Sequence, residues 1–215
     1  MRKLYGYFRS SAAYRVRIAL NLKGLDYESA IVHLTKNGGE QFAPEYRALN
    51  PQALVPLLQD DEVTLTQSLA IIEYLDEVYP KPTFLPELAA ERAQVRSLAL
   101  MIACEIHPLN NLRVLRYLVN DLKVTDAQKD QWYRHWIVSG LAPIETRLAN
   151  DAAAGKFCHG DAPGLADICL VPQLANARRF KISIDAFPTL VRIDQNCMAL
   201  KAFQDAAPSA QPDAE

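Results

Sequence analysis

No stretch of this 215-residue chain is both long and apolar; its apolar runs fall far short of the ~20 residues that cross a membrane. Neither sign of charge dominates. Twenty-three Lys and Arg stand against 25 Asp and Glu, with eight basic and ten acidic residues in 1–80 and fifteen of each beyond. The electrostatic footprint of a nucleic-acid binder or an anionic-membrane binder is therefore missing. The opening MRKLYGYFRSS carries Arg9 where a secretory signal needs its apolar core. Cysteine is scarce and unpatterned: Cys104, Cys158, Cys169 and Cys197 make no CxxC pair. His33, His107, His135 and His159 make no HExxH. A metal centre and a disulfide framework are both unexpected, and the composition reads as a soluble, reduced, cytoplasmic protein with enough apolar residues for a sizeable core.

Two textures divide the chain. Leu4, Tyr5, Tyr7 and Phe8 form a short β-type run, ended by Arg9-Ser10-Ser11. From Tyr14 the apolar residues Val16, Ile18, Ala19, Leu20 and Leu22 take helical spacing, and Gly24 stands where a helix is stopped. Tyr27–Leu34 is a second strand, so the opening has the size of a βαβ unit. A short helical piece ends at Asn50-Pro51. Two apolar runs, 54–58 and 63–66, then flank Asp60-Asp61-Glu62 as a hairpin, and a helix spans Ser68–Val78. This β-α-β-α-β-β-α order is thioredoxin-like. Pro80, Pro82 and Pro86 mark a linker. Beyond it only helical periodicity remains, over 91–119, 128–149, 165–180 and 190–205. The expectation is an α/β domain at 1–80, a linker at 81–86, an all-α domain at 87–205 and a flexible tail at 206–215.

Three places invite chemistry. Pro56 lies in an apolar run, where a trans proline belongs on an edge strand and a cis bond would expose the Val55 backbone N–H and C=O. Gln67-Ser68 stands at a strand-to-helix junction. Ser68 is explained by N-capping alone, yet a helix N-terminus with a hydroxyl and an amide is also a carboxylate site. Capping explains one of Ser10-Ser11 but not both, and a hydroxyl beside a helix N-terminus can stabilise a thiolate.

These residues resemble the cytosolic glutathione transferases, and among them the zeta class. The zeta-class motif Ser-Ser-Cys-x-aromatic-Arg-Val-Arg-Ile-Ala-Leu is met here by Ser10-Ser11-Ala12-Ala13-Tyr14-Arg15-Val16-Arg17-Ile18-Ala19-Leu20. Residues 48–52, 67–75, 105–112 and Val171-Pro172-Gln173 are similar to zeta-class segments as well. The resemblance implies the glutathione transferase fold, with glutathione as cofactor. It assigns Ser10 to thiolate stabilisation, with Ser11 beside it. Gln41, Val55, Pro56, Gln67 and Ser68 would hold glutathione, joined by His107 and Asn111, which four-residue spacing would put on one face of the first bundle helix.

The implied activity is a glutathione-dependent cis–trans isomerisation of maleylacetoacetate in tyrosine and phenylalanine breakdown. Thiolate addition makes the double bond single, rotation follows, and elimination restores glutathione. Maleylpyruvate isomerisation and general transfer to small electrophiles are the alternatives. The terminal carboxylates of such a substrate call for arginine, and Arg9, Arg113 and Arg179 are the candidates, with Arg178 beside them. The family pairs as homodimers, for which apolar material near Leu65 and along 93–101 is suitable. Two departures stand out. Ala12 replaces the family cysteine, which removes protein-thiol chemistry but not isomerisation. Gly164 replaces a helix-capping threonine at the expected cost of only a few tenths of a kcal/mol.

Overall fold

The computed structural model describes residues 1–215. Strand β1 (Lys3–Gly6) pairs in parallel with β2 (Glu28–Ile31), Lys3 opposite Glu28 and Gly6 opposite Ile31. On its other side β1 pairs antiparallel with β3 (Leu57–Asp60), and β3 turns through Asp61 and Glu62 into β4 (Val63–Thr66). The mixed sheet has the order β2-β1-β3-β4. Helix α1 (Ser11–Leu22) makes the crossover between the parallel strands, α2 (Pro44–Leu49) precedes β3, and α3 (Ser68–Val78) follows β4. Gly24 takes φ +64° just past the Lys23 cap, the left-handed conformation that ends α1.

The composition of α1 reads as amphipathic, but every residue from Ser11 to Leu20 is buried. Arg15 and Arg17 are 2% and 3% exposed. The helix packs on α3 and on α9 (Lys201–Ala206), which covers what would otherwise be its polar face.

The chain divides into two units, Met1–Phe84 with Met198–Glu215, and Leu85–Cys197. The segment expected as a flexible tail therefore belongs to the thioredoxin-like unit. Asn21 Nδ2 donates to the Ala202 carbonyl at 3.0 Å, and Arg17 Nε donates to the Ala206 carbonyl at 2.9 Å. Gln211 Nε2 donates to the carbonyls of Asp205 and Ala207, and Asp213 Oδ2 accepts the Phe8 N–H at 3.0 Å. An Ala-Pro-acid composition reads as frayed because the donors and acceptors that hold it lie elsewhere in the sequence.

The second unit is helical: α4 (Ala89–Ala103), α5 (Leu112–Asn120), α6 (Asp126–Asn150), α7 (Leu165–Arg179) and α8 (Pro188–Met198). One helix was expected over 91–119, but it breaks after Ala103. Pro108 has no N–H for an i−4 bond, and the His107 N–H turns back to the Ile102 carbonyl at 2.9 Å. Residues 108–110 form a 3₁₀ turn before α5. A second break, at Ala199-Leu200, separates α8 from α9 where one helix over 190–205 was expected. Without a side chain at Gly164, the start of α7 relies on buried Asp167, whose carboxylate accepts N–H groups from Gly164 at 2.9 Å and Cys158 at 2.8 Å. Burial raises the Asp167 pKa, and these two bonds pull it back. No helix is long and apolar enough to cross a membrane.

Candidate active site

The turn from β1 into α1 carries the paired serines. Ser10 is the N-cap of α1, and its Oγ accepts the Ala13 N–H at 3.2 Å. Accepting that bond leaves its hydroxyl proton available to an outside acceptor. Ser11 lies inside the helix, 6% exposed, so capping accounts for one serine only. Arg9 is exposed, its guanidinium 4.7 Å from the centre of the Phe8 ring. Ala12 is buried at the second helical position, and no cysteine occurs anywhere in this unit. Tyr5, on β1, and Tyr7, in the turn after it, are engaged in packing: Tyr5 donates to Gln59 Oε1, and Tyr7 meets Phe8 and His33 edge to face.

The Val55–Pro56 bond is cis. The β1–β3 ladder begins only at Leu57, so Val55 stands outside it with no backbone partner for its N–H or C=O. The peptide before it is held from two sides. The Tyr46 hydroxyl donates to the Leu54 carbonyl at 2.6 Å and Asn50 Nδ2 donates to the same oxygen at 2.8 Å. Burial pushes the Tyr46 phenol up to about 12, with its bond to Asn50 acting the other way, so it remains a donor at neutral pH. Asn50 Oδ1 also accepts the Gln52 N–H, shaping a loop in which Ala53 takes φ +52°. Sequence reasoning missed Tyr46 and Asn50. The only available signal was the Asn50-Pro51-Gln52 string, which marks a turn without saying which carbonyl it would serve.

At the start of α3, Gln67 rather than Ser68 takes the N-cap position, and no side chain caps the helix. The N–H groups of Ser68, Leu69 and Ala70 have no protein acceptor. Gln67 takes φ +68°, a left-handed conformation that costs a non-glycine residue about 1–3 kcal/mol. Its amide donates to Gln52 Oε1 at 2.9 Å. Ser68 is buried, and Arg15 Nη1 donates to its Oγ at 3.3 Å, so the cation of α1 faces the helix start. Gln41 is 4% exposed; its Nε2 reaches the Leu34 carbonyl at 3.5 Å while Oε1 has no partner. Gly39 beneath it takes φ +115°, and a Cβ there would sit 2.6 Å from the Gln41 amide. Arg15 was not foreseen as part of this region, although two arginines in an otherwise apolar helix are a visible anomaly.

In the helical unit the expectation of one shared face fails. His107 opens the 3₁₀ turn, whereas Asn111 caps α5, its Oδ1 accepting the Arg113 N–H at 3.1 Å. Arg113 itself is exposed on the first turn of α5. The neighbours Arg178 and Arg179 part company. Arg178 pairs with Asp194, a side chain only 3% exposed, and is thereby committed to holding α7 against α8. Arg179 has no carboxylate partner. Its guanidinium stands 4.7 Å from the Phe180 ring centre, and Phe180 stacks on Tyr133 with centroids 3.6 Å apart. Burial raises the Tyr133 phenol, and the nearby Arg179 cation opposes that shift.

One thioredoxin-like unit thus carries the Ser10 hydroxyl, a cis-proline peptide and a helix start with no side-chain cap. The family model for the glutathione S-transferase N-terminal domain matches residues 4–83. A probable maleylacetoacetate isomerase of Vibrio cholerae is 56% identical over 211 residues, covering 98% of this chain and 97% of its own. Among solved structures, the holo form of a bacterial zeta-class maleylpyruvate isomerase matches with a TM-score of 0.96 and 46% identity, covering 99% of this chain and all of its own. A Methylobacterium extorquens maleylacetoacetate isomerase, solved with malonate and glutathione bound, matches with a TM-score of 0.95 and 43% identity, covering 99% of both chains. The chain belongs to the maleylacetoacetate isomerase family of zeta-class glutathione transferases.

The residues present fit glutathione. Its peptide group matches the open N–H and C=O of Val55, and a carboxylate matches the three open N–H groups of α3 with Arg15 behind them. The buried, unpartnered Oε1 of Gln41 calls for an ammonium or amide donor. Because the Tyr46 hydroxyl pins the peptide preceding Val55, Tyr46→Phe is expected to raise the glutathione dissociation constant about five- to tenfold, the worth of ~1 kcal/mol. Isothermal titration measures this; an unchanged constant would remove Val55 from the glutathione contacts.

Proposed function

We propose that this chain is a glutathione-dependent cis–trans isomerase whose substrate is maleylacetoacetate, converted to fumarylacetoacetate in tyrosine and phenylalanine breakdown. One observation carries this reading beyond the family. The open Val55 N–H and C=O, the open N–H groups of α3 and the Ser10 hydroxyl all lie in a unit that contains no cysteine, which supports a reacting sulfur that arrives with the ligand. Bound glutathione supplies a thiolate that adds to the conjugated cis double bond, frees rotation about it and is released again by elimination.

The chain's own residues bind and orient. Ser10 donates its hydroxyl proton towards the sulfur, and the N-terminal end of α1 adds its dipole, so both favour the thiolate. Ser11 supports this turn. Val55, beside Pro56, holds the peptide of the cysteinyl unit, Gln67 and Ser68 hold the γ-glutamyl carboxylate, and Gln41, His107 and Asn111 complete the glutathione contacts. Arg179, with Arg9 and Arg113, holds the carboxylates of the diacid. Malonate, a dicarboxylate, is bound together with glutathione in the Methylobacterium extorquens relative, which supports a site for a small diacid. Maleylpyruvate is the second substrate to consider, because a relative solved in the holo form is a maleylpyruvate isomerase. A cytoplasmic location is supported by four cysteines that are all unpaired.

Turnover of both maleyl diacids, with and without glutathione, tests the activity and its substrate together. Ser10→Ala is expected to lower kcat by ~10²–10³ while glutathione affinity stays within a few-fold, the usual loss for one preorganised donor. Wild-type turnover in Ser10→Ala with loss in Ser11→Ala would transfer the role to Ser11.

Arg179→Met is expected to raise KM for the diacid by about tenfold or more, with little effect on glutathione. Arg178→Met should instead lower the melting midpoint, because it strands the buried carboxylate of Asp194. Unchanged diacid kinetics in Arg179→Met would return that residue to the role of a surface charge.

A homodimer completes the proposal, supported by exposed apolar residues Val63 (38%) beside Leu65 and Leu100 (44%) on α4. Sedimentation at micromolar concentration is expected to show two chains, with a hyperbolic dependence of rate on glutathione. A fully active monomer would overturn this part alone.

A further inference from the structure

The turn that carries Ser10 is only four residues long, Tyr7-Phe8-Arg9-Ser10, between the end of β1 and the start of α1. Two of its backbone bonds are its own business: the Ser10 N–H closes on the Tyr7 carbonyl at 2.9 Å, and the Ser10 carbonyl accepts from Tyr14. The peptide groups on either side of Phe8 are satisfied from outside. The Phe8 N–H donates to Asp213 Oδ2 at 3.0 Å, and the Phe8 carbonyl accepts from Arg17 Nη2 at 3.1 Å. Arg17 Nη1 lies 3.5 Å from the Tyr7 carbonyl, and its Nε donates to Ala206 at 2.9 Å. One buried guanidinium thus ties the serine turn to the end of α9, and the segment beyond α9 returns to the same turn through Asp213.

This arrangement is costly to keep. Burial drives the Arg17 guanidinium down to about 10, and it is surrounded by carbonyl oxygens and by the Tyr14 ring, 5.4 Å away, rather than by a paired carboxylate. Asp213 acts on it only at longer range. A planar fork with several donors is suited to several carbonyls at once, which a lysine ammonium on the same stem cannot reproduce. The C-terminal segment is fastened further by Glu215, whose carboxylate meets Lys36 Nζ at 2.6 Å and His33 Nε2 at 3.2 Å. His33 Nδ1 accepts the Lys36 N–H at 2.9 Å, so Nε2 carries the ring proton and points it at Glu215.

We propose that Arg17 and Asp213 are positioning residues: they clamp the two peptide groups on either side of Phe8 and thereby fix where the Ser10 hydroxyl meets the sulfur of bound glutathione. The proposal rests on the isomerase reading for its chemistry, but the clamp is a property of this chain's own backbone. Neither residue touches the reacting atoms; each acts through Ser10.

The test is a double-mutant cycle read by the titration of the bound glutathione thiol, followed through its thiolate absorbance, and by kcat and KM. Asp213→Ala is expected to lower kcat roughly ten- to a hundredfold with KM for the diacid little changed, as misplacing one catalytic group does. The bound thiol should titrate higher by up to about one unit. Asp213→Asn, which keeps a carbonyl oxygen at that position, should recover most of both effects. In a Ser10→Ala background Asp213→Ala should add nothing to the thiol shift. Arg17→Lys should behave like Asp213→Ala and serves as the second variant if Asp213→Ala does not fold by circular dichroism. An unshifted thiol in folded Asp213→Ala and Arg17→Lys, or an equal further shift with Ser10 already removed, would overturn the clamp. A wild-type chain that binds glutathione yet isomerises neither diacid would overturn the functional reading while leaving the thiol titration to decide the clamp.

Discussion

Two guanidinium groups are buried along a single helix, and a buried cation is tolerable only where acceptors have been brought to it. Arg15 and Arg17 on α1 therefore do more than fill space. Arg15 reaches the Ser68 hydroxyl at the start of α3, and Arg17 reaches the carbonyls of Tyr7, Phe8 and Ala206. Each of these acceptors belongs to a segment that the chain could otherwise place loosely: a helix start, a four-residue turn and a C-terminal helix. Their positions are tied to α1 because leaving either cation without acceptors would cost several kcal/mol. The geometry of the candidate site around Ser10 and Ser68 follows from that requirement.

The start of α3 shows the same economy in the opposite sense. A side chain can satisfy the first N–H groups of a helix, as Ser10 does for α1 and Thr125 for α6, although α2, α4 and α9 begin without one. At α3 they are left open, and the residue before them, Gln67, is held in a left-handed conformation unfavourable to its side chain. Hydrogen bonding between Gln67 and Gln52 then links this strained corner to the loop that Asn50 shapes around Val55. Local stability is given up at one end of a helix and compensated by neighbours from a different part of the sequence. That is the pattern expected where backbone groups are kept for a ligand.

What could be read from the sequence follows from the range of the interactions involved. The strand and helix order of the first 80 residues was legible because alternation, helical spacing and the acidic turn at 60–62 are local. Ser10-Ser11, Val55-Pro56 and Gln67-Ser68 were legible as anomalies: a second serine that capping does not need, a proline in an apolar run, an amide at a helix start. The break at 104–111 was missed because apolar spacing continues through it, although Pro108 was in plain view. The fastening of 206–215 was not legible at all. Its partners are Phe8, Lys36 and His33, almost the whole chain away, and no short-range pattern announces a carboxylate that will cap a distant amide. Nor does spacing reveal that α1 is covered on every side, since its arginines look like an exposed stripe until their acceptors are known.

Two adjacent cations near the end of α7 are spent differently. Arg178 and Arg179 occupy the last turn of α7, where either charge is favourable to the helix dipole, so the helix itself does not distinguish them. Asp194 does. Its carboxyl is buried, burial raises its pKa, and the Arg178 cation pulls it back towards the charged form. Once Arg178 is committed to that task, Arg179 remains with its guanidinium beside Phe180, which is itself stacked on buried Tyr133. A guanidinium supported by a ring surface keeps its in-plane donors for a bidentate acceptor, which is the demand a carboxylate makes. One arginine is therefore tied to a buried carboxylate while its neighbour stays exposed beside a ring, a difference that two adjacent charges on one helix do not announce.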